Sequence, residues 1–175
     1  MDGAPSHTAA PAGNAAAWFV DRHLEEGRGA NLAFREAGGR DLTYAGLDDA
    51  AGRFAGALGR RGIRREERIL MLCLDTIEFP VIFWGAMKAG VIPIPVNTLL
   101  SPAVYEEILE DCRAGLVFVS APLWDALVPA LGKSPHLREV VAVGGPTPQG
   151  ATSWDDFMDG AEPVATSEAS PDETA

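Results

Sequence analysis

Several short patterns in this chain bring together residue types that bind phosphate, nucleotides or metal ions. Gly132-Lys133-Ser134 has the order found at the end of a phosphate-binding loop, where backbone amides and a lysine hold phosphate at a helix N-terminus. That loop needs a glycine five residues before its Gly-Lys pair, but Leu127 stands there, and Pro135 stops the helix that should follow. Gly56, Gly59 and Gly62 fall along a helical stripe rather than at a strand-to-helix turn, so they predict close packing and not a dinucleotide site. Glu106, Glu107, Glu110 and Asp111 form an acidic helix face, which is far more often a solvated surface than a cation site. Cys73 and Cys112 are distant in sequence, with no CxxC pattern and no histidine at ligand spacing. His7, His23 and His136 stand apart, so neither zinc nor a Cys/His catalytic pair is expected.

The elements that position these groups follow from periodicity. Asn14 caps a predicted helix to Glu26, with Trp18, Phe19, Val20 and Leu24 on one side and Gly27 and Gly29 ending it. Asn31 to Glu36 and Asp41 to Thr43 predict a hairpin around Ala37-Gly38-Gly39-Arg40. Thr43 caps a helix to Arg61 whose Leu47, Ala51, Phe54 and Leu58 make an apolar stripe. The run Arg68 to Leu74 predicts a strand leading into an almost wholly apolar helix from Ile77 to Lys88, with Thr76 as its N-cap. Val91 to Val96 then predicts a second, interior strand. Ser101 to Arg113 predicts a helix with Pro102 at its first position, Leu116 to Val119 a strand, Leu123 to Leu131 a helix and Glu139 to Val143 a strand. Ser153 and Asp156 cap a short helix from Trp154 to Met158. Trp84 and Trp154 are expected to pack in the core. The alternation implies an α/β fold: a mainly parallel sheet, helices on both faces and an N-terminal β-hairpin.

The 175 residues, 47% of them hydrophobic, suit one domain with a sizeable core. Residues 1–13 read as a flexible leader, 14–159 as a partial N-terminal α/β domain and 160–175 as an acidic linker-like tail. The formal net charge is −11, yet seven acids and no basic residue lie from Asp155 onward. The preceding part holds 14 basic and 18 acidic side chains and lacks the footprint of a nucleic-acid binder. The first residues show no secretory signal, and no apolar run is long enough for a membrane span, so a cytoplasmic protein with reduced thiols is expected.

Three ordered segments carry a family resemblance: Leu42-Thr43-Tyr44-Ala45-Gly46-Leu47, then Met87-Lys88-Ala89-Gly90-Val91-Ile92-Pro93-Ile94-Pro95-Val96-Asn97, then Tyr105-Glu106-Glu107-Ile108-Leu109-Glu110-Asp111-Cys112. Together they resemble AMP-forming acyl-CoA synthetases, within the adenylate-forming superfamily that includes luciferase. The first is similar to that family's LTYxEL opening, with Gly46 where Glu is usual. The second is similar to its LKAGxxxxPxN block, and the third to its ILxDS helix, with Cys112 in place of Ser. Asn14 with Asp21-Arg22-His23-Leu24, Gly27-Arg28-Gly29 and Val96-Asn97-Thr98-Leu99-Leu100 is most similar to benzoate-CoA and 4-hydroxybenzoate-CoA ligases. The likeness runs from about Asn14 to Phe157.

The resemblance implies a ligase that uses ATP with Mg²⁺ to adenylate a carboxylic acid, aromatic and benzoate-like, and then transfers the acyl group to CoA. It implies no catalytic residue in this chain, because the family's phosphate loop, nucleotide contacts, hinge and catalytic lysine belong to later sequence. The expectation is a truncated N-terminal segment, inactive alone, that binds ATP, Mg²⁺ and CoA at most weakly and self-associates through an exposed strand edge. The resemblance also places Asn97, Thr98 and Leu99 towards the CoA and acyl pocket, and a plain strand-end turn is the other reading of these residues. The alternative for the whole chain is a non-catalytic α/β binding or scaffold module.

Overall fold

The computed structural model describes residues 13–131 and 134–170. Most of the expected leader, Gly132 and Lys133 of the phosphate-loop-like triplet, and residues 171–175 of the tail lie outside the described residues. Asn14 opens the first helix as its sequence predicts, its Oδ1 accepting from the Ala16 amide at 2.9 Å. The helix is irregular, winding as a π turn over Ala17–Asp21 before α1 (Arg22–Glu25). Strands β1 (Leu32–Arg35) and β2 (Asp41–Thr43) form the antiparallel hairpin. Gly38 and Gly39 supply its positive φ values of 114° and 104°. The Thr43 hydroxyl accepts from the Gly46 amide and starts α2 (Tyr44–Arg60).

The chain then alternates through β3 (Arg68–Leu72), α3 (Glu78–Lys88), β4 (Ile92–Pro95), α4 (Pro102–Cys112), β5 (Leu116–Ser120), α5 (Trp124–Leu131), β6 (Glu139–Val143), β7 (Thr152–Ser153) and α6 (Trp154–Met158). The five strands β3 to β7 form one parallel sheet in the order β4-β3-β5-β6-β7. Strand side chains alternate between its two faces. Ile69, Met71, Leu116, Phe118, Val141 and Val143 meet α2, α3 and α6 around Phe54, Leu58, Ile82 and Phe157. Leu70, Leu72, Val117 and Val119 meet α4 and α5 around Tyr105, Leu109 and Leu127. Trp154 stacks on Phe54, and Trp84 packs against Phe19 and Phe83. Ser153 caps α6 by accepting from the Asp156 amide at 2.9 Å while its hydroxyl donates to the Asp156 carboxylate at 2.6 Å.

Two local expectations are corrected. The apolar run Val91 to Val96 yields β4, which is the edge strand and not an interior one. Its prolines explain the placement. The Ile92 and Val96 amides donate to the Glu67 and Met71 carbonyls of the neighbouring strand, so positions 93 and 95 turn their nitrogens to the open side, where proline loses no bond. Thr76 does not cap α3. Ile77 occupies that place without a side-chain oxygen, and the Glu36 carboxylate reaches over from the hairpin to accept from the Ile77 amide at 3.1 Å.

Residues 160–170 contain no helix or strand and lie along α2 and α3. The Val164 amide donates to the Gly52 carbonyl at 3.1 Å, and the Ser167 amide to the Lys88 carbonyl at 2.8 Å. A Cβ at Gly56 would collide with the Glu162 carbonyl, and one at Gly52 would sit 3.2 Å from Pro163. Of the striped glycines, Gly56 thus allows close packing as expected, whereas a Cβ at Gly59 would meet nothing within 4 Å, and Gly62 follows the helix with a positive φ of 68°, a turn position and not a packing one.

Candidate functional site

In a parallel sheet, ligands bind outside the carboxyl ends of the strands, where the chain switches from one side of a strand to the other. Here β3 has β4 on one side and β5 on the other, which places that point at the ends of β3 and β5. Beside that point, at the ends of β3 and β4, opens a cleft of about 320 Å³, lined by Cys73, Leu74, Asp75, Phe79, Pro95, Val96, Asn97 and Thr98. Its walls come from the segments that follow β3 and β4 and from the first turn of α3.

The backbone at this end is pinned by side chains. The Leu74 amide donates to Ser120 Oγ at 2.9 Å, tying the segment after β3 to the end of β5. Asn97 Oδ1 accepts from the Leu99 amide at 2.9 Å, forming an Asx turn. The Tyr105 hydroxyl donates to the Asn97 carbonyl and accepts from the Leu100 amide, both at 2.9 Å, so a fully buried tyrosine of α4 fixes the loop from beneath. Of the residues predicted to line a pocket, Asn97 and Thr98 border this cleft. Leu99 does not border it; its side chain is 89% exposed.

The cleft is equipped for binding, not for covalent chemistry. Cys73 is buried, its Sγ lies 3.5 Å from the Phe118 carbonyl, and burial pushes its thiol pKa up to about 12, so no thiolate nucleophile is available at neutral pH. Asp75 is the carboxylate on the lining, and the Asn97 amide oxygen is committed to its turn. Among the described residues no group of three or more His, Cys, Asp or Glu side chains is placed to hold a metal ion. These residues do not by themselves fit Mg²⁺ or the phosphates of ATP, and no catalytic step is assigned to them.

Sequence reasoning missed the Cys73 to Asp75 stretch and Phe79 as lining residues. The signal available was the end of the apolar run at Asp75, where a strand from a parallel sheet must give way to a loop. It also missed Lys88, whose side chain is only 3% exposed. Lys88 Nζ donates to Asp21 Oδ1 at 2.5 Å, Asp48 Oδ1 at 2.7 Å and Thr166 Oγ1 at 2.9 Å, and Thr166 donates in turn to Asp21 Oδ2. The ammonium thus ties together the π turn, α2, α3 and the segment after α6. His23 stacks on Tyr44 at 3.7 Å and accepts from Arg28 through Nδ1; burial and the nearby Arg28 and Arg22 guanidiniums lower its pKa.

A model of the AMP-binding enzyme family matches residues 20–175. The chain belongs to that family. It is 41% identical to a 4-hydroxybenzoate--CoA/benzoate--CoA ligase from Rhodopseudomonas palustris over 156 residues, covering 87% of this chain and 29% of that protein. It is 39% identical to a benzoate--CoA ligase from Thauera aromatica over 133 residues, or 75% of this chain and 25% of the relative. Among solved structures, a benzoate CoA ligase from Burkholderia xenovorans superimposes with a TM-score of 0.75 at 36% identity, over 87% of this chain and 29% of the other. An anthranilate CoA ligase in complex with anthranoyl-AMP superimposes with a TM-score of 0.81 at 29% identity, over 90% of this chain and 30% of the other. The chain therefore spans under a third of the length of these AMP-binding enzymes, and the parallel sheet with its hairpin is the fold they share.

Proposed function

We propose that this chain is the N-terminal part of an AMP-forming aryl-CoA ligase, whose whole form adenylates a benzoate-like acid with ATP and Mg²⁺ and passes the acyl group to CoA. The observation that carries this reading is the path of the Lys88 to Thr98 segment. The same run that is similar to the family's LKAGxxxxPxN block ends at the cleft beside the switch point, delivering Asn97 and Thr98 to its rim. In this reading residues 14–159 form the scaffold, residues 160–175 connect it onward, and the described cleft is one wall of the CoA or acyl pocket. The two free thiols suit a reducing, cytoplasmic setting.

By itself the chain is expected to make no acyl-CoA, because nothing at its cleft neutralises phosphate charge or polarises a carboxylate. The purified 175-residue chain, given ATP and benzoate, should release pyrophosphate no faster than a no-protein control. Mixed with the complementary remainder of the Rhodopseudomonas relative, it should recover ligase activity. In that reconstituted enzyme Thr98→Phe, which fills the cleft, should raise KM for the acid or for CoA while the fold persists. Pyrophosphate release by the chain alone, or a soluble monomer indifferent to the remainder, overturns the proposal. The second outcome favours the scaffold alternative.

A further inference from the structure

The end of the sheet opposite that cleft carries a different chemistry. The register aligns Ile69 of β3 with Leu116 of β5 and Leu116 with Glu139 of β6. Arg68, Gly115 and Arg138, each one position earlier, therefore lie in a row across three adjacent strands at their N-terminal ends. Arg113, at the end of α4, and His136 complete a depression of about 210 Å³ whose remaining wall is Glu67. The lining holds three arginines and one glutamate, in a chain whose formal net charge is −11. That carboxylate is occupied: Glu67 accepts from Arg64 at 3.1 Å and from Arg138 at 3.2 Å. Among the described residues, Arg68 and Arg113 enter no ion pair.

Two backbone features shape the depression around these cations. Gly115 has no side chain, and the Arg138 guanidinium turns its Nε–Nη2 edge to it; a Cβ there would come 2.7 Å from both Arg138 Nε and Nη2. Arg113 holds φ 54° and ψ 36°, the left-handed conformation that a helix end ordinarily gives to glycine. Among the described non-glycine residues the one other positive φ is that of Glu66, directly beside the depression. A long cationic side chain kept where glycine fits better points from strain to a role in binding.

We propose that Arg68, Arg113 and Arg138, with His136 at the rim, bind the phosphate group of a small phosphate-bearing anion. Guanidinium forks match the oxygens of phosphate, and an excess of positive charge suits a dianion better than a monoanionic carboxylate. At about 210 Å³ the depression has room for a phosphate or diphosphate group. The site lies at the other end of the sheet from the cleft assigned above and does not depend on the ligase reading.

Calorimetric titration of the full chain at low ionic strength tests the site, with inorganic phosphate, pyrophosphate and AMP as probes and acetate as the carboxylate control. Saturable binding of at least one phosphate probe, with none by acetate, is expected. A preference for AMP would identify a nucleotide source, and a preference for the inorganic probes a free phosphate source. Arg113→Gly is the decisive variant, because it removes the cation and relieves the left-handed backbone. It should hold or raise the thermal unfolding midpoint yet weaken phosphate binding about tenfold, the effect of losing one charge-assisted bond. Arg68→Gln should weaken binding by a similar factor, and Gly115→Ala should do so by displacing the Arg138 guanidinium. Absence of saturable phosphate binding, acetate binding of equal strength, or unchanged affinity in both arginine variants overturns the site.

Discussion

Lys88 shows what a single buried charge does in this molecule. Its ammonium is almost sealed from water, and Asp21 and Asp48, with side-chain exposures of 26% and 32%, supply two carboxylates to it. Lys88→Met keeps the apolar stem but leaves the carboxylates facing each other without a cation. Removing one partner from a buried ion pair costs about 3 kcal/mol at the lower end of the usual range, and the partial exposure of the two aspartates keeps the figure there. The midpoint of urea unfolding should fall accordingly, and residues 164–167 should lose hydrogen-exchange protection. Gly46 offers the opposite sign. It stands three residues after the Thr43 N-cap, where glutamate would complete a capping box, and its backbone is not in the positive-φ region. Gly46→Glu removes a helix glycine and adds a partner for the Thr43 amide, at the expense of a small shift in Leu42 Cδ1, 3.2 Å from the new Cβ. A net gain of about 1 kcal/mol in unfolding free energy is expected by denaturant titration.

Between elements, the junction of the hairpin with α3 is electrostatic. Arg40, in the hairpin turn, donates twice to the Glu78 carboxylate at 2.6 and 2.9 Å and also bonds to Glu36, which itself caps α3. Partial burial of Glu78 works to raise its pKa, but the Arg40 hydrogen bonds and the Arg40 charge work against it, and the carboxyl is held below its ordinary value. A depressed folded pKa means that the stabilisation is complete above the ordinary carboxylate pKa and is lost as pH falls through the lower, folded value. Unfolding free energy should therefore drop steeply below about pH 4.5, and Glu78→Gln should flatten that acid limb while costing stability at neutral pH. Equilibrium unfolding across pH 3 to 7 reads both effects, and a parallel acid limb in the variant would sink the assignment. The Glu36 cap was invisible in the sequence because it joins residues far apart in the chain, whereas the caps by Asn14, Thr43 and Ser153 were legible because each acts within its own turn. The π turn was likewise hidden, since Trp18, Phe19, Val20 and Leu24 fit an ordinary helical stripe. The cleft was half legible: Asn97 and Thr98 follow from the order of the motif, while Cys73 and Phe79 join it only once β3 and β4 are paired.

For the molecule as a whole, what matters is how its sheet is left at the sides. Self-association through an exposed strand edge is the expectation from sequence, and the geometry of both edges works against that route. The β4 edge presents Pro93 and Pro95 at the positions whose amides would otherwise face a partner strand, and the other edge, β7, is two residues long. Short edges and prolines are the usual means by which a sheet avoids pairing with a neighbour. The sequence had offered this signal in its Ile-Pro-Ile-Pro alternation, which hydrophobicity alone read as a buried strand. Exposed apolar side chains offer another route: besides Leu99 and its neighbours after β4, Phe19 on the first helix and Leu32 and Phe34 on the hairpin are 53%, 45% and 39% exposed. If pairing along β4 is held off by its prolines, replacing both with threonine should supply two outward amides on a strand of better β propensity and convert a monomer into a concentration-dependent oligomer. Light scattering over a dilution series distinguishes the routes. Association in Pro93→Thr/Pro95→Thr but not in the parent chain supports the proline block, whereas association of the parent that is abolished by Phe19→Lys and Phe34→Lys would assign it to the apolar surface.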